Sequence, residues 1–220
     1  MSNHVYTSHQ SGTPLDIVAG FAAYAVLPAI RDCYVDLKSG EATYINLEMP
    51  YWNQSYIKAA SMYDQLYYIV GDINLTVYDR TLVTYVNDDL LPSSMTEDQL
   101  KQLVLDGKWT FETMKNMITD YGYDEKDNLT GVTARDQFGI VSTYGSEAYD
   151  GFMLGFDLYG LLVENSDRSW SYNINGNQKL QDGLEKVQGL WGMFAAYAGS
   201  QAEAFNSFVN KRSLFLTSET

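Results

Sequence analysis

The chain has 220 residues, of which 45% are hydrophobic and 14% aromatic, a globular composition with enough apolar side chains for one large domain or two small ones. Its formal net charge of −14 repels polyphosphates, so we expect no nucleic acid among its partners. The single cysteine, Cys33, excludes an intrachain disulfide and a CxxC-type metal site, and we expect it to be a small buried apolar side chain.

The N-terminal region starts with a polar tail that carries both histidines, His4 and His9, and has no apolar run of the kind found in signal peptides. Residues 15–18 show a short strand pattern and residues 22–34 a helical pattern. Another strand pattern begins near residue 213, close to the other end of the chain. Because a buried strand needs neighbours, both ends predict a piece cut from a longer protein whose leader has been removed.

The stretch "QLYYIVGDINLTVYDRTLVTYVNDDLL", residues 65–91, contains two β-rich runs, at residues 66–70 and 82–86. A polar loop of about a dozen residues separates them, and loops of that length inside compact domains tend to be functional. Pattern alone leaves two alternatives, a plain hairpin and a crossing between two bodies.

Two helices are predicted next, in "SSMTEDQLKQLVLDGKWTFETMKNMITDYG". Thr96 has Gln99 three residues on, which is the spacing of a capping box, and Gly107 ends the first helix. Thr110 is the predicted N-cap of the second helix, and Gly122 follows its last turn.

The C-terminal half continues the alternation of strands and helices. We expect a strand at residues 138–141, a helical region from about residue 146, an extended segment at 169–177 and a last helix from 178 to about 198. Strands that alternate with helices predict an α/β fold.

Sequence motifs for catalysis or metal binding are absent. There is no phosphate loop and no dinucleotide fingerprint, and histidines confined to the tail do not support a Ser-His-Asp or Cys-His pair. The loop that starts at Asp124 resembles a calcium loop, but Lys126, Leu129 and Arg135 stand where that motif needs other residues. We therefore expect no catalytic residues, no metal and no cofactor.

Aromatic residues are the remaining chemical signal, with 18 Tyr, 9 Phe and 4 Trp. Flat rings beside Asp, Asn and Gln commonly hold a sugar, because the ring stacks on the apolar face of the pyranose while polar groups bind its hydroxyls. We assign Trp109, next to the Thr110 cap, and Trp191, on a helical stripe, to the core. Trp52, in "PYWNQS" and outside any periodic pattern, is a candidate for ligand binding.

Five segments, taken in order, resemble extracellular solute-binding proteins of family 1, the lipoprotein receptors of bacterial ABC importers. They are "PLDIVAGFAAYAVLPAIRDCYVDLKS", "MPYWNQSYIKAASMYDQLYYIVGDINL", "TLVTYVNDDLL", "GKWTFETMKNMITD" and "ARDQFGIVS". The most specific are "GKWTFETM" and the downstream "DQFGI". Asp88 replaces the usual Lys of the third segment, and "DEKDNLTG" stands where the family loop often reads "DLNGDG".

The resemblance implies a periplasmic-binding-protein-like type II fold with two lobes, crossing hinge strands and an incomplete first lobe. Residues 1–65 would belong to lobe one, 66–87 to the hinge strands and 88–220 to lobe two, which would be truncated at its C-terminus. The implied function is a receptor that captures a sugar or oligosaccharide between the lobes and delivers it to ABC permease subunits. The full-length protein would be extracellular and anchored as a lipoprotein, with the anchor missing from this chain.

Ligand contacts are expected where α/β sheets expose their loops, at the C-terminal ends of strands. The candidate ligand-binding residues are Gly20, Phe21, Trp52, Asp72, Tyr144, Glu147 and Tyr149. Two other functions remain open, a carboxylate-dependent glycosidase that uses a pair of the 28 acidic residues, and a surface adhesion or scaffolding module with an exposed Tyr-rich patch.

Overall fold

The computed structural model describes residues 1–42, 44–122, 135–143, 146–158 and 161–219, without the side chains of residues 77, 146 and 147. The chain divides into two compact units, Met1–Val77 (unit 1) and Tyr78–Thr220 (unit 2). The boundary lies within residues 66–87, whose role as a hinge stays a prediction.

In unit 1 the regular elements of the described residues are short helices. They are α1 (Ser2–Gln10), a 3-10 turn (Ala22–Tyr24), α2 (Val26–Ile30), a second 3-10 turn (Gly40–Ala42), α3 (Gln54–Ala60) and α4 (Thr76–Asp79), which continues into unit 2. The polar N-terminal tail is therefore helical. Cys33 is half-buried, which contradicts the prediction of a buried side chain.

Two predictions for the N-terminal region are wrong. Residues 15–18 form no strand, and the side chains of Leu15 and Ile17 are 43% and 87% exposed, because apolar alternation makes a strand only where a partner strand is available. The helix expected at 22–34 stops at Ile30, since Asp32 adopts a positive φ of 52° and turns the chain away.

The prediction of a strand at residues 66–70 is also wrong. Leu66 is fully buried, but this run makes isolated backbone bonds: the Leu37 amide donates to the Leu66 carbonyl at 2.7 Å, and the Asn53 amide donates to the Val70 carbonyl at 2.9 Å. The other run, Leu82–Val86, is a strand and pairs with Ser213–Glu219. The plain hairpin is therefore excluded.

Unit 2 contains a mixed four-stranded sheet and a separate two-stranded ribbon. The strands are β1 (Leu82–Val86), β2 (Phe138–Thr143), β3 (Leu162–Glu164), β4 (Trp170–Tyr172), β5 (Ala196–Gly199) and β6 (Ser213–Glu219). The sheet has the order β1-β6-β2-β5, and β3 pairs with β4 in the ribbon. Strands β2, β5 and β6 are parallel, and β1 is an antiparallel edge strand.

Helices of unit 2 cover both faces of this sheet. A 3-10 turn (Asp88–Leu90) follows β1, and the helices are α5 (Glu97–Leu105), α6 (Phe111–Ile118), α7 (Ser146–Gly155), α8 (Gln178–Trp191) and α9 (Gln201–Val209). The predicted α/β class is confirmed by this mixed sheet with its helices.

The two faces carry different clusters because side chains alternate along each strand. On one face Ile140 and Phe215 pack with residues of α6 and α8, and Phe152 of α7 lies against the same cluster. On the opposite face Val141 and Leu216 pack against α9. Trp109 and Trp191 border the first cluster, which confirms their assignment to the core.

Local signals predict the middle of the chain well and its end poorly. The capping box of Thr96 and Gln99 is present, and Thr110 accepts a hydrogen bond from the Thr113 amide. The helix that starts at Gln178 ends at Trp191, however, and residues 196–199 are a strand. Parallel pairing with β2 outweighs the helical pattern there.

Candidate functional site

The carboxyl ends of β2, β5 and β6 lie at one edge of the sheet because these strands are parallel. After β2 the chain passes to α7 and α8, on the face of Ile140, whereas after β5 it passes to α9, on the face of Val141. The neighbouring strands β2 and β5 are thus followed by connections on opposite faces. In open α/β sheets ligands bind at such a switch point.

Hydroxyl side chains line this edge, which we call the hydroxyl edge: Ser142 and Thr143 at the end of β2, and Thr217 and Ser218 near the end of β6. All are buried, with exposed fractions of 0%, 7%, 4% and 5% in that order. Thr84 of β1 pairs in register with Thr217, so a fifth hydroxyl lies in the same row. Because side chains alternate along each strand, hydroxyls occupy both faces of the edge.

Two of these hydroxyls lack a hydrogen-bond partner among the residues that the structure describes. They are Oγ1 of Thr143 and Oγ1 of Thr217, and both atoms are buried. Ser142, by contrast, donates from Oγ to the Thr217 carbonyl at 3.0 Å. An unpaired buried hydroxyl costs about 1–3 kcal/mol, and such groups in a folded protein often mark a place where something else binds.

The N-terminus of α9 borders the hydroxyl edge through Gly199, which pairs in register with Thr143. Ser200 caps the helix, and Oε2 of Glu203 accepts hydrogen bonds from both the amide and the hydroxyl of Ser200 at 2.7 Å. These two bonds stabilise the ionised carboxylate and so hold the pKa of the Glu203 carboxyl below its ordinary value. The bond from the Ser200 hydroxyl has the larger effect and the bond from the Ser200 amide the smaller one. The edge therefore carries a negative charge beside its neutral hydroxyls.

A hydroxyl row beside a carboxylate offers both donors and acceptors, the combination that a polyhydroxy solute requires. A charged pair lies at the rim, where Arg80 Nη1 is 2.7 Å from Glu219 Oε2. Leu82, two residues after Arg80, pairs in register with Glu219. The Arg80–Glu219 ion pair therefore lies at the end of the hydroxyl edge that is next to β1.

Three predicted contact residues follow β2. Tyr144 lies outside the described residues, as does the side chain of Glu147, whose backbone belongs to the first turn of α7. Tyr149 lies in α7 with 48% of its surface exposed, and its ring centroid is 6.4 Å from that of Trp191. Its ring is thus available to solvent while its neighbour Trp191 belongs to the core.

Trp52 and Asp72, both in unit 1, are brought together by the backbone. Trp52 forms an isolated antiparallel bridge with Gly71, and the Asp72 amide donates to the Tyr51 carbonyl at 2.9 Å. The Trp52 ring is half-buried, and its Nε1 is buried without a hydrogen-bond partner in the described part of the chain. Tyr51 packs edge-on against Trp52 at 5.1 Å between centroids and is itself 44% exposed.

Gly20 and Phe21, also in unit 1, do not follow a strand, because residues 1–19 contain none. Gly20 lies against the Met1 side chain, which a Cβ would approach to 2.4 Å. Phe21 is 66% exposed, and its ring centroid is 6.2 Å from that of Tyr24. The rationale for these two residues as ligand contacts is therefore lost.

The candidate residues that sequence reasoning missed are Thr143, Thr217, Ser200 and Glu203. The sequence does carry one signal, because Ser200 and Glu203 have capping-box spacing directly after an apolar run. The polar ends of "FGIVST" and "SLFLTSE" are also visible. The sequence does not show that these two segments lie side by side. That depends on the pairing of β2 with β6, in which Ser142 bonds to Thr217, a residue 75 positions away.

Among the described residues no group of three or more His, Cys, Asp or Glu side chains could hold a metal ion. The loop that starts at Asp124 lies outside the described residues up to residue 134. Within the described ranges the chain contains no helix that is both long and apolar enough to cross a membrane.

In the comparisons with known proteins, no family model, no curated protein and no solved structure matches the chain.

Proposed function

We propose that the protein is the solute-binding receptor of an ABC importer and that it captures a sugar or oligosaccharide without chemical conversion. In this proposal the chain has the two-lobed type II architecture, units 1 and 2 being parts of its lobes. The receptor acts outside the cell as a lipoprotein and hands its solute to permease subunits in the membrane. The five sequence segments that resemble family 1 receptors are the source of this hypothesis.

The hydroxyl edge of unit 2 is the observation that supports solute capture best. Thr143 lies at the end of β2, beside the switch point, and Thr217 lies near the end of the neighbouring parallel strand β6, on the other face of the sheet. Each has a buried hydroxyl without a partner in the described residues. At each of the two positions a sugar hydroxyl can donate to the threonine Oγ1 or accept from it, which supplies a hydrogen bond that is unmade among the described residues.

Exposed aromatic rings supply the second element of sugar recognition. Tyr149 on α7 is the exposed ring nearest in sequence to the end of β2 in the described chain, and it is held against Trp191. In unit 1 Trp52 is fixed by Gly71 beside Asp72. Each ring can cover the apolar face of a pyranose while carboxylates and hydroxyls bind its polar rim.

Isothermal titration calorimetry on the full chain tests this function. Neutral monosaccharides and oligosaccharides form one panel, and free amino acids and dipeptides form the other. We expect saturable heat from at least one glycan, weakened roughly tenfold in Thr143→Val or Thr217→Val, which each remove one hydroxyl and keep the side-chain shape. Trp52→Ala should weaken glycan binding as well.

Thr119→Val is the matched control for these variants. It makes the same chemical change outside the hydroxyl edge, near the end of α6, where the Thr119 hydroxyl donates to the Lys115 carbonyl at 3.0 Å. Glycan affinity should be unchanged in this variant. Binding of amino acids or peptides with no glycan bound would refute the sugar proposal. Release of reducing sugar from a bound glycan would point to a glycosidase instead.

A further inference from the structure

We propose that the hydroxyl edge selects uncharged solutes against anions and that Glu203 is the residue that sets this selectivity. We call this selectivity the charge filter. It rests on the proposed function in one respect, that the ligand is a solute. The exclusion of anions can be measured without knowing which solute the protein binds.

The start of a helix at the carboxyl edge of a parallel sheet is ordinarily an anion site. Its free amides point outward, and the helix dipole adds positive potential. Helix α9 begins there, directly after β5. Phosphate or carboxylate groups of a ligand would be expected at this position if it were open.

In this protein the position is already taken by a carboxylate of the chain itself. Glu203 Oε2 accepts from the Ser200 amide at 2.7 Å and from the Ser200 hydroxyl at the same distance. Gly199 makes room for it, because a Cβ at that residue would lie only 3.0 Å from the same oxygen. The helix dipole is thus compensated from within, and an incoming anion would meet a negative charge.

Among the described residues, the Thr143 hydroxyl has unfilled hydrogen-bonding capacity at this place. It is directly opposite Gly199 and, like Val141 two residues earlier, belongs to the face that packs against α9. The residue is only 7% exposed, and its Oγ1 is buried without a partner in the described part of the chain. A neutral hydroxyl of a solute can donate a hydrogen bond to the Glu203 carboxylate and also bond to the Thr143 hydroxyl. A phosphate oxygen without a proton can accept from Thr143 but has no proton to donate to Glu203.

Glu203→Gln is the decisive variant because it removes the charge and preserves the cap. Glutamine at the third helical position also completes a capping box, as Gln99 does in α5. Glu112→Gln is the matched control, because it changes the net charge by the same amount at a residue of α6. There Glu112 Oε1 lies 3.7 Å from Lys186 Nζ.

The measurement is an NMR titration of the full chain at constant ionic strength with inorganic phosphate and, separately, D-glucose 6-phosphate. It is followed at the amides of Thr143, Gly199 and Ser200. We expect no saturable shifts in the wild type or in Glu112→Gln, and a gain of roughly tenfold or more in phosphate affinity at these amides in Glu203→Gln. Adding Thr143→Val to Glu203→Gln should reduce that gain.

The inference is overturned if the wild type binds phosphate at these amides, or if Glu203→Gln gains no more than Glu112→Gln. Should Glu203→Gln not fold, Glu203→Ala replaces it, because Ser200 still accepts from the amide of residue 203 through its own hydroxyl. The same gain in phosphate affinity is expected of that variant.

Failure of the charge filter and failure of the proposed function are distinguishable. Glycan binding by the wild type without any gain of phosphate in Glu203→Gln refutes only the charge filter. A gain of phosphate in Glu203→Gln without any glycan binding by the wild type refutes only the sugar receptor.

Discussion

Thr143 and Thr217 are unusual residues because their hydroxyls are buried without a hydrogen-bond partner in the described chain. A protein selected only for stability would carry valine at such positions, since valine has nearly the same shape and no polar group to satisfy. In the proposed function, a bound solute makes the hydrogen bonds that these two hydroxyls lack among the described residues.

Thr143→Val should raise the free energy of unfolding by about 1 kcal/mol, because it removes a hydroxyl whose desolvation is not repaid. Chemical denaturation followed by circular dichroism measures this. Ser142→Ala is the control and should lower stability, since the Ser142 hydroxyl is bonded to the Thr217 carbonyl. A loss of stability in Thr143→Val would mean that its hydroxyl has a partner in the folded protein.

Gly71→Ala should destabilise unit 1 by about 2 kcal/mol through overpacking. A Cβ at residue 71 would lie 2.3 Å from the Tyr51 carbonyl oxygen and 2.7 Å from the Trp52 ring, and backbone cannot move aside as a flexible side chain can. Tryptophan fluorescence during denaturation reports the change. Gly40→Ala is the control, because no atom lies within 4 Å of a Cβ there. Equal effects of the two substitutions would contradict the close packing of Trp52 on Gly71.

Among the secondary-structure elements, α9 is the helix whose start is most closely tied to the candidate site. Hydrogen bonds from Ser200 lower the pKa of the Glu203 carboxyl in the folded protein. A carboxyl with a lowered folded pKa contributes stability that is present above its unfolded pKa, about 4.3, and is lost as the pH falls through the folded value.

Acidification below about pH 4 should therefore loosen the first turn of α9. Hydrogen exchange at the amides of residues 200–204 measures the loosening. Relative to neutral pH, protection should fall more at low pH in the wild type than in Glu203→Gln, which has no proton to gain at that residue. Equal loss of protection at low pH in the wild type and in Glu203→Gln would contradict a role of the Glu203 charge.

The two units of the molecule differ in how much apolar surface they bury. In the described part of unit 1 the buried apolar side chains are Val5, Pro28, Ala29 and Leu66, whereas unit 2 has two clusters on the faces of its sheet. Large apolar residues of unit 1 remain in solvent, among them Ile17 at 87% exposure. Because burial of apolar surface is the main source of stability, we expect unit 1 to be less stable than unit 2.

We therefore expect Met1–Val77 to open at lower denaturant concentration than Tyr78–Thr220 in the intact chain. Hydrogen exchange with mass spectrometry at increasing urea resolves the two. Strands β2 and β6, which pair with each other at the centre of the sheet, should be the last to exchange. A single transition with equal protection in both units would contradict this difference.

Much of the local structure can be predicted because it depends on residues close together in the sequence. The caps at Thr96 and Thr110 need only a side chain and an amide three residues on, and both are present. Predictions that require a partner elsewhere in the chain fail where the partner is missing, as at residues 15–18 and 66–70. The strand at residues 196–199 escapes prediction for the converse reason, because its partner β2 lies far away in the sequence.

Apolar periodicity and capping act over one or two turns. The sequence alone is therefore enough to predict the α/β class, the starts of α5, α6, α7 and α8, and the core positions of Trp109 and Trp191. Tertiary structure decides the rest: β1 pairs with β6, the Trp52 ring packs against Gly71, and Thr143 and Thr217 come to the same edge of the sheet, on opposite faces. These features depend on the register of strands far apart in the chain. Register is fixed by which faces can be buried together, and burial is a property of the assembled sheet.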